Sequence, residues 1–397
     1  MPSTTNACSL LATAMLAAGL ASTSAFGEPP RYRVEPIVGV VGPSAINEAG
    51  SIVGTNLSPM RAWVAHEGRP AELLPLPSGT ASSWATDIND QGIVVGATSP
   101  SASPEFGGRA TAWVPLAGGG YSVHVLGVLP GHATSNATAL NNLGDIVGFS
   151  SNGTYRFAAL FSLAAPPMSL AATGIFDPQD VNDVRTVVDR SFTAKLLDLD
   201  TMKIRDLGVP GPGYLASTGV AINVHGEVAG VLIRASTTCD REAARHVDGI
   251  GWEPLSTCRA HNGAQDINDL GDVVMTVVLW PYLRIDGEGT HLIDDLVEEE
   301  VGVWSTYTLA PLSINDARQI ATNASNPTRG FSGAVRLTPI IDEDLDGDGV
   351  IGPLDLSMLL ATWGPCPACP ADLDGDGVVG SADLALLLAA WSGGKSA

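Results

Sequence analysis

Positive charge is scarce in this chain. Only 20 of its 397 residues are Lys or Arg, against 42 Asp and Glu, and all charged residues together make up 16%. The formal net charge of −22 argues against nucleic acid and anionic membrane surfaces as partners, because both repel a negative protein. Catalytic signatures are missing too. There is no His-Glu-x-x-His, no Gly-x-Ser-x-Gly and no phosphate loop. The seven histidines (66, 124, 132, 225, 246, 261 and 291) are scattered and read as surface or packed residues. Beyond the N-terminal leader no apolar run reaches the ~20 residues of a membrane span. Whether the chain is an enzyme stays open on these absences, and they lean against it.

Cysteine is also sparse. Of five, Cys8 falls in a leader whose residues 10–20 are apolar and small, the length of an export-signal core. Thr23-Ser24-Ala25 and Ala25-Phe26-Gly27 are small-x-small cleavage candidates, so residues 1–27 read as a signal peptide and the mature protein as extracellular or surface-bound. Four cysteines then remain, an even number in an exported protein. Pairing by neighbourhood gives Cys239 with Cys258 and Cys366 with Cys369. Zinc is the rival, but the two pairs fall in different predicted domains.

What the chain has in plenty is glycine (45) and proline (27), the punctuation of a turn-rich β protein. One stretch organises the rest: Asp87-Ile88-Asn89-Asp90-Gln91-Gly92-Ile93-Val94-Val95-Gly96. Asn89 and Asp90 start a tight turn, Gly92 takes the positive φ, and the β-branched residues after it suit a buried strand. The stretch recurs with Asn at 47, 89, 141, 182, 223, 268 and 315. In the fourth and seventh copies the turn Gly is replaced by Arg185 and Arg318, so those turns must differ or carry strain of about 1 kcal/mol.

Each repeat holds four short strand-like pieces, in the second repeat 85–89, 93–98, 110–114 and 123–129. Four strands per ~45 residues is the length of a propeller blade, and seven blades close a ring. The expected fold is therefore all-β, a seven-bladed β-propeller over residues 31–340. The seventh repeat lacks a fourth strand, and the orphan strand at 32–41 is expected to supply it. Pro36 has no N–H and belongs at a sheet edge. Trp63, Trp84, Trp113, Trp252, Trp280 and Trp304 at blade spacing read as core, with sugar stacking on a propeller face as the alternative. Asp177, Asp180, Asp198 and Asp200 are the acids that a glycosidase-like cleft would draw on.

The acids crowd into the last 60 residues, with ten between 342 and 383 and no Lys or Arg among them. Asp344-Leu345-Asp346-Gly347-Asp348-Gly349-Val350-Ile351-Gly352-Pro353-Leu354-Asp355 fits a 12-residue calcium loop. Its carboxylates are Asp344, Asp346, Asp348 and Asp355, and Val350 adds a backbone carbonyl. The pattern returns 28 residues later at Asp372, Asp374, Asp376, Val378 and Asp383. Apolar residues at helical spacing follow each loop: Leu356, Leu359, Leu360 and Trp363, then Leu384, Leu387, Leu388 and Trp391. These are expected to form a small α-helical core over 341–394, folded around two calcium ions.

Two resemblances follow from these motifs. Ala-Ile-Asn-Asp-x-Gly-x-Ile-Val-Gly with its following Ala-Trp resembles the HAF-type extracellular repeat, over roughly 41–337. Residues 344–391, with Asp rather than Glu at position 12 and no helix before either loop, resemble a type I dockerin repeat pair. That second resemblance implies docking onto a cohesin-like receptor, although neither helix carries the Lys or Arg typical of the contact face. Together they imply an exported, non-catalytic binding or scaffold protein at the cell surface, with a glycan as a candidate ligand of the propeller. The alternative is an enzyme or accessory subunit of a polysaccharide-degrading complex, similar to a glycoside hydrolase.

Overall fold

The computed structural model describes residues 29–102, 108–235, 240–257, 262–298, 304–306, 312–346, 350–367 and 369–392. The leader, Cys239, Cys258 and Asp348 lie outside the described residues. Among the described residues no helix is long and apolar enough to cross a membrane.

Seven antiparallel sheets follow one another along the chain as the blades of a propeller. Blade one runs from Pro43–Ile46 to Glu72–Leu73, blade two from Ser82–Ile88 to Tyr121–Gly127, and blade three from Thr134–Leu140 to Met168–Ser169. Blade four runs from Pro178–Val181 to Lys203–Asp206, blade five from Tyr214–Ile222 to Gly251–Pro254, and blade six from Gly263–Ile267 to Gly289–Leu292. Blade seven is a composite. Ser313–Ile314, Ile320–Asn326 and Phe331–Ile340 come from the end of the ring, and the outermost strand, Arg31–Pro36, comes from its beginning. That strand pairs antiparallel with Phe331–Ile340, from Arg31 opposite Ile340 to Pro36 opposite Val335. The expected closure is thus present, and Pro36 sits on an outermost strand where its missing N–H does no harm. Part of that exposed edge is covered, because the Glu298 N–H donates to the Tyr32 carbonyl (3.0 Å).

The Gly that ends each Ile-Val-Gly is demanded by close backbone approach. The innermost strand of blades one to six is bulged. In blades two, three and five a Cβ at Gly96, Gly148 or Gly230 would lie 2.1 Å from the carbonyl oxygen of Trp84, Asn136 or Thr218. The Arg turns did not escape into another conformation: Arg185 and Arg318 hold φ of 63° and 58°. Ion pairs offset that strain. Arg185 reaches Asp145 (3.2 Å) in the preceding blade and Asp200 (3.0 Å), and Arg318 reaches the buried Asp272 (2.7 Å).

Each neighbouring pair of blades shares one apolar cluster, so the core is a ring of seven interfaces. Trp63 fills the seam between blades seven and one with Ile46, Ile52 and Ala334. Trp113 fills the next with Val53 and Val94. Trp252 and Trp304 are buried as well. Trp280 departs from the expected core: it is 49% exposed, beside a two-residue turn at Val278 and Leu279.

The tail has its own cluster, built on Ile351, Leu359, Ala371, Val379, Leu387 and Ala390. Its helices are Pro353–Ala361 and Ser381–Ser392. The expected core is only half right here. Leu359 and Leu387 are fully buried, and Leu356 and Leu384 pack against them. Leu360, Trp363, Leu388 and Trp391 are exposed instead. Two short helices can turn only one narrow stripe toward each other, and that stripe also takes in Asp355 and Asp383, both buried.

Candidate functional site

Every blade begins its innermost turn with the recurring Asn, and all seven are buried around the propeller axis. Each side chain does two jobs. Its Oδ1 accepts the N–H four residues ahead, at 2.8–2.9 Å in all seven turns. Its Nδ2 donates to the carbonyl of the equivalent Asn in the next blade. Asn47 donates to Asn89 (2.9 Å), Asn89 to Asn141 (3.2 Å), Asn141 to Asn182 (3.0 Å) and Asn182 to Asn223 (2.8 Å). Asn223 donates to Asn268 (3.1 Å), Asn268 to Asn315 (3.1 Å), and Asn315 back to Asn47 (3.0 Å). An amide carries its donor and its acceptor on separate atoms of one short stem, so it serves both partners at once.

A second ring of bonds lies one residue on. The N–H of Glu48 donates to Asp90 (3.0 Å), that of Asp90 to Asn142 (2.9 Å), and that of Asn142 to Asp183 (2.7 Å). The N–H of Val224 donates to Asp269 (2.8 Å), that of Asp269 to Asp316 (2.7 Å), and that of Asp316 to Glu48 (3.1 Å). The ring is interrupted where Val224 offers no acceptor.

Two residues before each Asn the sequence reads Ala45, Asp87, Ala139, Asp180, Ala221, Asp266 and Ser313. The alternation has a physical cause. The N–H of the residue that follows each of these positions needs an acceptor. Asp87 takes those of Ile88 (2.8 Å) and Leu140 (2.9 Å), and Asp180 those of Val181 (2.7 Å) and Ile222 (2.9 Å). Asp266 takes those of Ile267 (2.9 Å) and Ile314 (3.0 Å), and Ser313 takes that of Ile46 (3.2 Å). Three carboxylates with two oxygens each and one hydroxyl meet the needs of seven blades.

The result is an axial funnel of about 220 Å³ lined by eight carboxylates and no Lys or Arg. Its electrostatics follow. Enclosure by protein pushes Asp87 up to about 8, with the Asp180 charge adding to it and the Leu140 and Ile88 N–H groups opposing. Enclosure likewise pushes Asp266 up to about 7 and raises Asp180. At the mouth, Glu48 is raised to about 7, first by burial and then by the charges of Asp316, Asp90 and Asp269. Asp316 is raised for the same first reason.

The second candidate site is the pair of acid loops in the tail. The first brings Asp344, Asp346 and Asp355 together, and the second Asp372, Asp374 and Asp376, with carboxylate oxygens of each set within 4.8 Å of one another. The position-12 acids hold the loops shut. Asp355 accepts the N–H groups of Leu345 (2.8 Å), Asp346 (3.1 Å) and Gly352 (2.6 Å). Asp383 repeats this at Leu373 (2.7 Å), Asp374 (3.1 Å) and Gly380 (2.6 Å), and stands outside the second carboxylate set. Val350 and Val378 are exposed at position 7 of their loops. The donors are all hard oxygens, and Oδ1 of Asp372 is buried with no hydrogen-bond partner among the described residues. That orphaned oxygen and the converging carboxylates fit a divalent cation of the calcium type. Cys366 and Cys369 form the expected disulfide, with Cα atoms 5.6 Å apart.

Several sequence-predicted acids are scattered by the fold. Asp177 pairs with Arg190 (3.0 Å), Asp200 with Arg185, and Asp198 caps a turn by accepting the N–H groups of Asp200 and Thr201 (2.9 Å each). Asp180 alone faces the funnel. Reading the sequence repeat by repeat missed Asp87 and Asp266, whose signal is the alternation of Asp with Ala at one repeat position.

No family model and no curated protein matches the chain. Solved structures do match its fold. A streptogramin B lyase is 10% identical over 78% of this chain and 98% of its own, with a TM-score of 0.50. An oligogalacturonate lyase in complex with manganese is 12% identical over 79% and 97%, with a TM-score of 0.51. A virginiamycin B lyase from Staphylococcus aureus is 11% identical over 79% and 100%, with a TM-score of 0.50. At such identities the likeness establishes the propeller and leaves the activity to be argued from this chain's own residues.

Proposed function

We propose that the chain is an exported, non-catalytic binding or scaffold protein whose two C-terminal acid loops each take one calcium ion and present the tail to a partner. The observation that carries this reading is that three carboxylates converge beside a helix twice, Asp344 and Asp346 with Asp355, then their counterparts 28 residues on, Asp372 and Asp374, with Asp376. Asp344, Asp346 and Asp355 would hold the first ion, with Asp348 by sequence position and the Val350 carbonyl. Asp372, Asp374 and Asp376 would hold the second, with the Val378 carbonyl and Asp383 completing or supporting the loop. Calcium supplies the positive charge that lets these carboxylates converge without repulsion.

The exposed apolar residues favour docking. Met358, Leu360 and Trp363 on one repeat have counterparts at Leu386, Leu388 and Trp391 on the other, all at least 37% exposed. A surface like this is costly in a module with no partner. In the type I dockerin resemblance the partner is a cohesin-like or other envelope protein. The propeller would then be the scaffold's second binding element, with its acidic funnel or rim facing a glycan or other ligand.

Isothermal titration of the full chain with Ca²⁺ tests the metal half, with two ions bound as the expected result. A stoichiometry near zero would falsify it. A pull-down from the organism's own envelope fraction, with Ca²⁺ and then with EDTA, tests the docking half. Retention that EDTA leaves unchanged counts against it.

A further inference from the structure

The two acid loops are anchored by different means. In the first, the Asp344 N–H donates to the Ile341 carbonyl (3.0 Å), and Ile341 directly follows the blade-seven strand Phe331–Ile340. The propeller itself is the foundation of that loop. The equivalent bond in the second loop runs from the Asp372 N–H to the Cys369 carbonyl (3.0 Å). No sheet of the propeller stands behind it. Cys369 is instead tied to Cys366 by the disulfide and by an N–H bond to the Cys366 carbonyl (3.2 Å). The Cys366 N–H then donates to the Gly377 carbonyl (3.0 Å), and the Gly377 N–H donates to the Asp372 carboxylate (2.9 Å). The circuit therefore runs from the disulfide to the first ligand of the loop, across its central turn, and back. Both cysteines are half-buried rather than sealed in, and the exposed Pro367 lies between them.

We propose that the Cys366–Cys369 disulfide is a redox switch for cation binding by the second acid loop, a role that rests on the calcium reading above. Oxidised, the disulfide holds Asp372 and Gly377 in register, so that the carboxylates of Asp372, Asp374 and Asp376 converge. A dithiol reductant opens it. One thiolate attacks a cysteine sulfur and breaks the S–S bond, forming a mixed disulfide. The second thiol of the reductant displaces that sulfur, so the reductant leaves as a disulfide and the chain gains two electrons and two protons as two thiols. Cys366 and Cys369 are then no longer tied to each other, and the cost of ordering them falls on metal binding. The first loop, built onto the sheet, keeps its affinity.

Calorimetric titration with Ca²⁺ of the full chain, oxidised and after treatment with a dithiol, tests this. Three variants sharpen it. Asp344→Ala leaves only the second loop, Asp372→Ala leaves only the first, and Cys366→Ser/Cys369→Ser removes this disulfide alone. The oxidised chain should bind two ions. Reduction, or the double Ser variant, should weaken one site by about tenfold or more. In the Asp344→Ala chain reduction should weaken the remaining site, and in the Asp372→Ala chain it should not. Two unchanged sites in the double Ser variant would overturn the switch while leaving the calcium reading intact. Equal loss of both sites would also overturn it, because the disulfide would then hold the whole tail. Absence of binding in the oxidised chain overturns the calcium reading, and the switch with it. A thermal melt of each variant confirms that the propeller is folded.

Discussion

The propeller and the tail are both built from repeats, but their polar groups behave in opposite ways. In the propeller seven copies close a circle, and each Asn finds its partner in the next copy. In the tail two copies meet face to face, and their acids gather in sets of three. A closed ring satisfies itself. An open pair leaves carboxylates clustered and apolar side chains on its surface. The same contrast explains why every blade seam has a filled apolar cluster while Trp363 and Trp391 in the tail are exposed.

The largest effect should come from breaking the circle. Deleting residues 31–36 removes the outer strand of blade seven and bares the edge of Phe331–Ile340. A melting curve should show a large loss of cooperativity and of Tm, and an unchanged Tm would mean that closure does not hold the ring. Chelation comes next. EDTA, or Asp344→Ala with Asp372→Ala, should abolish the helical far-UV signal of the tail and leave the main melting transition in place. Coupled loss of both would show that the tail and propeller are one cooperative unit.

The third effect is a pH dependence of the ring. Asp87, at about 8, and Asp266, at about 7, bind protons more tightly folded than unfolded. Their contribution to stability is therefore greatest at acidic pH and is lost as pH rises from about 4 through 8. The Tm of the propeller should be higher at pH 5 than at pH 9 by about 5 °C or more. Asp87→Ser, which copies the acceptor the chain itself uses at Ser313, should flatten that slope, and a slope unchanged by it would place the titrating groups elsewhere. The smallest effect is at one link of the Asn ring. Asn182→Ala strands the Thr186 N–H and leaves the Asn223 carbonyl with only the Gly226 N–H, at a cost of about 1–3 kcal/mol. Urea denaturation should show a lower midpoint with an unchanged m-value.

Much of this ring was legible from one repeat. Asn89, Gly92 and the β-branched residues after them describe a turn and a strand, and their sevenfold recurrence counts the blades. The missing fourth strand of the last repeat even located the closure. The second role of the Asn was not legible, because its partner lies 41 to 52 residues away, or 268 at the closing link, and becomes a neighbour only in the finished circle. The alternation of Asp with Ala before it has the same origin. One carboxylate can serve two blades only once those blades stand side by side. In the tail the helical period marked the apolar residues correctly and could not say which of them face the partner helix. Leu359 and Leu360 are adjacent in sequence, and one is fully buried while the other is half exposed.

The closing strand has a mechanical consequence. Arg31 and Ile340 are opposite one another, so the N-terminal strand enters and the tail leaves from the same end of one antiparallel pair. Tension between the tail and the N-terminal segment would peel that pair apart one rung at a time, the weakest way to load a sheet. At the mouth of this zipper Arg31 is bonded both to Asp342, the second residue beyond the strand, and to Glu298. Its guanidinium is a clasp across the seam, the first point to feel a load on the tail and the last holding the circle shut before the rungs begin to part.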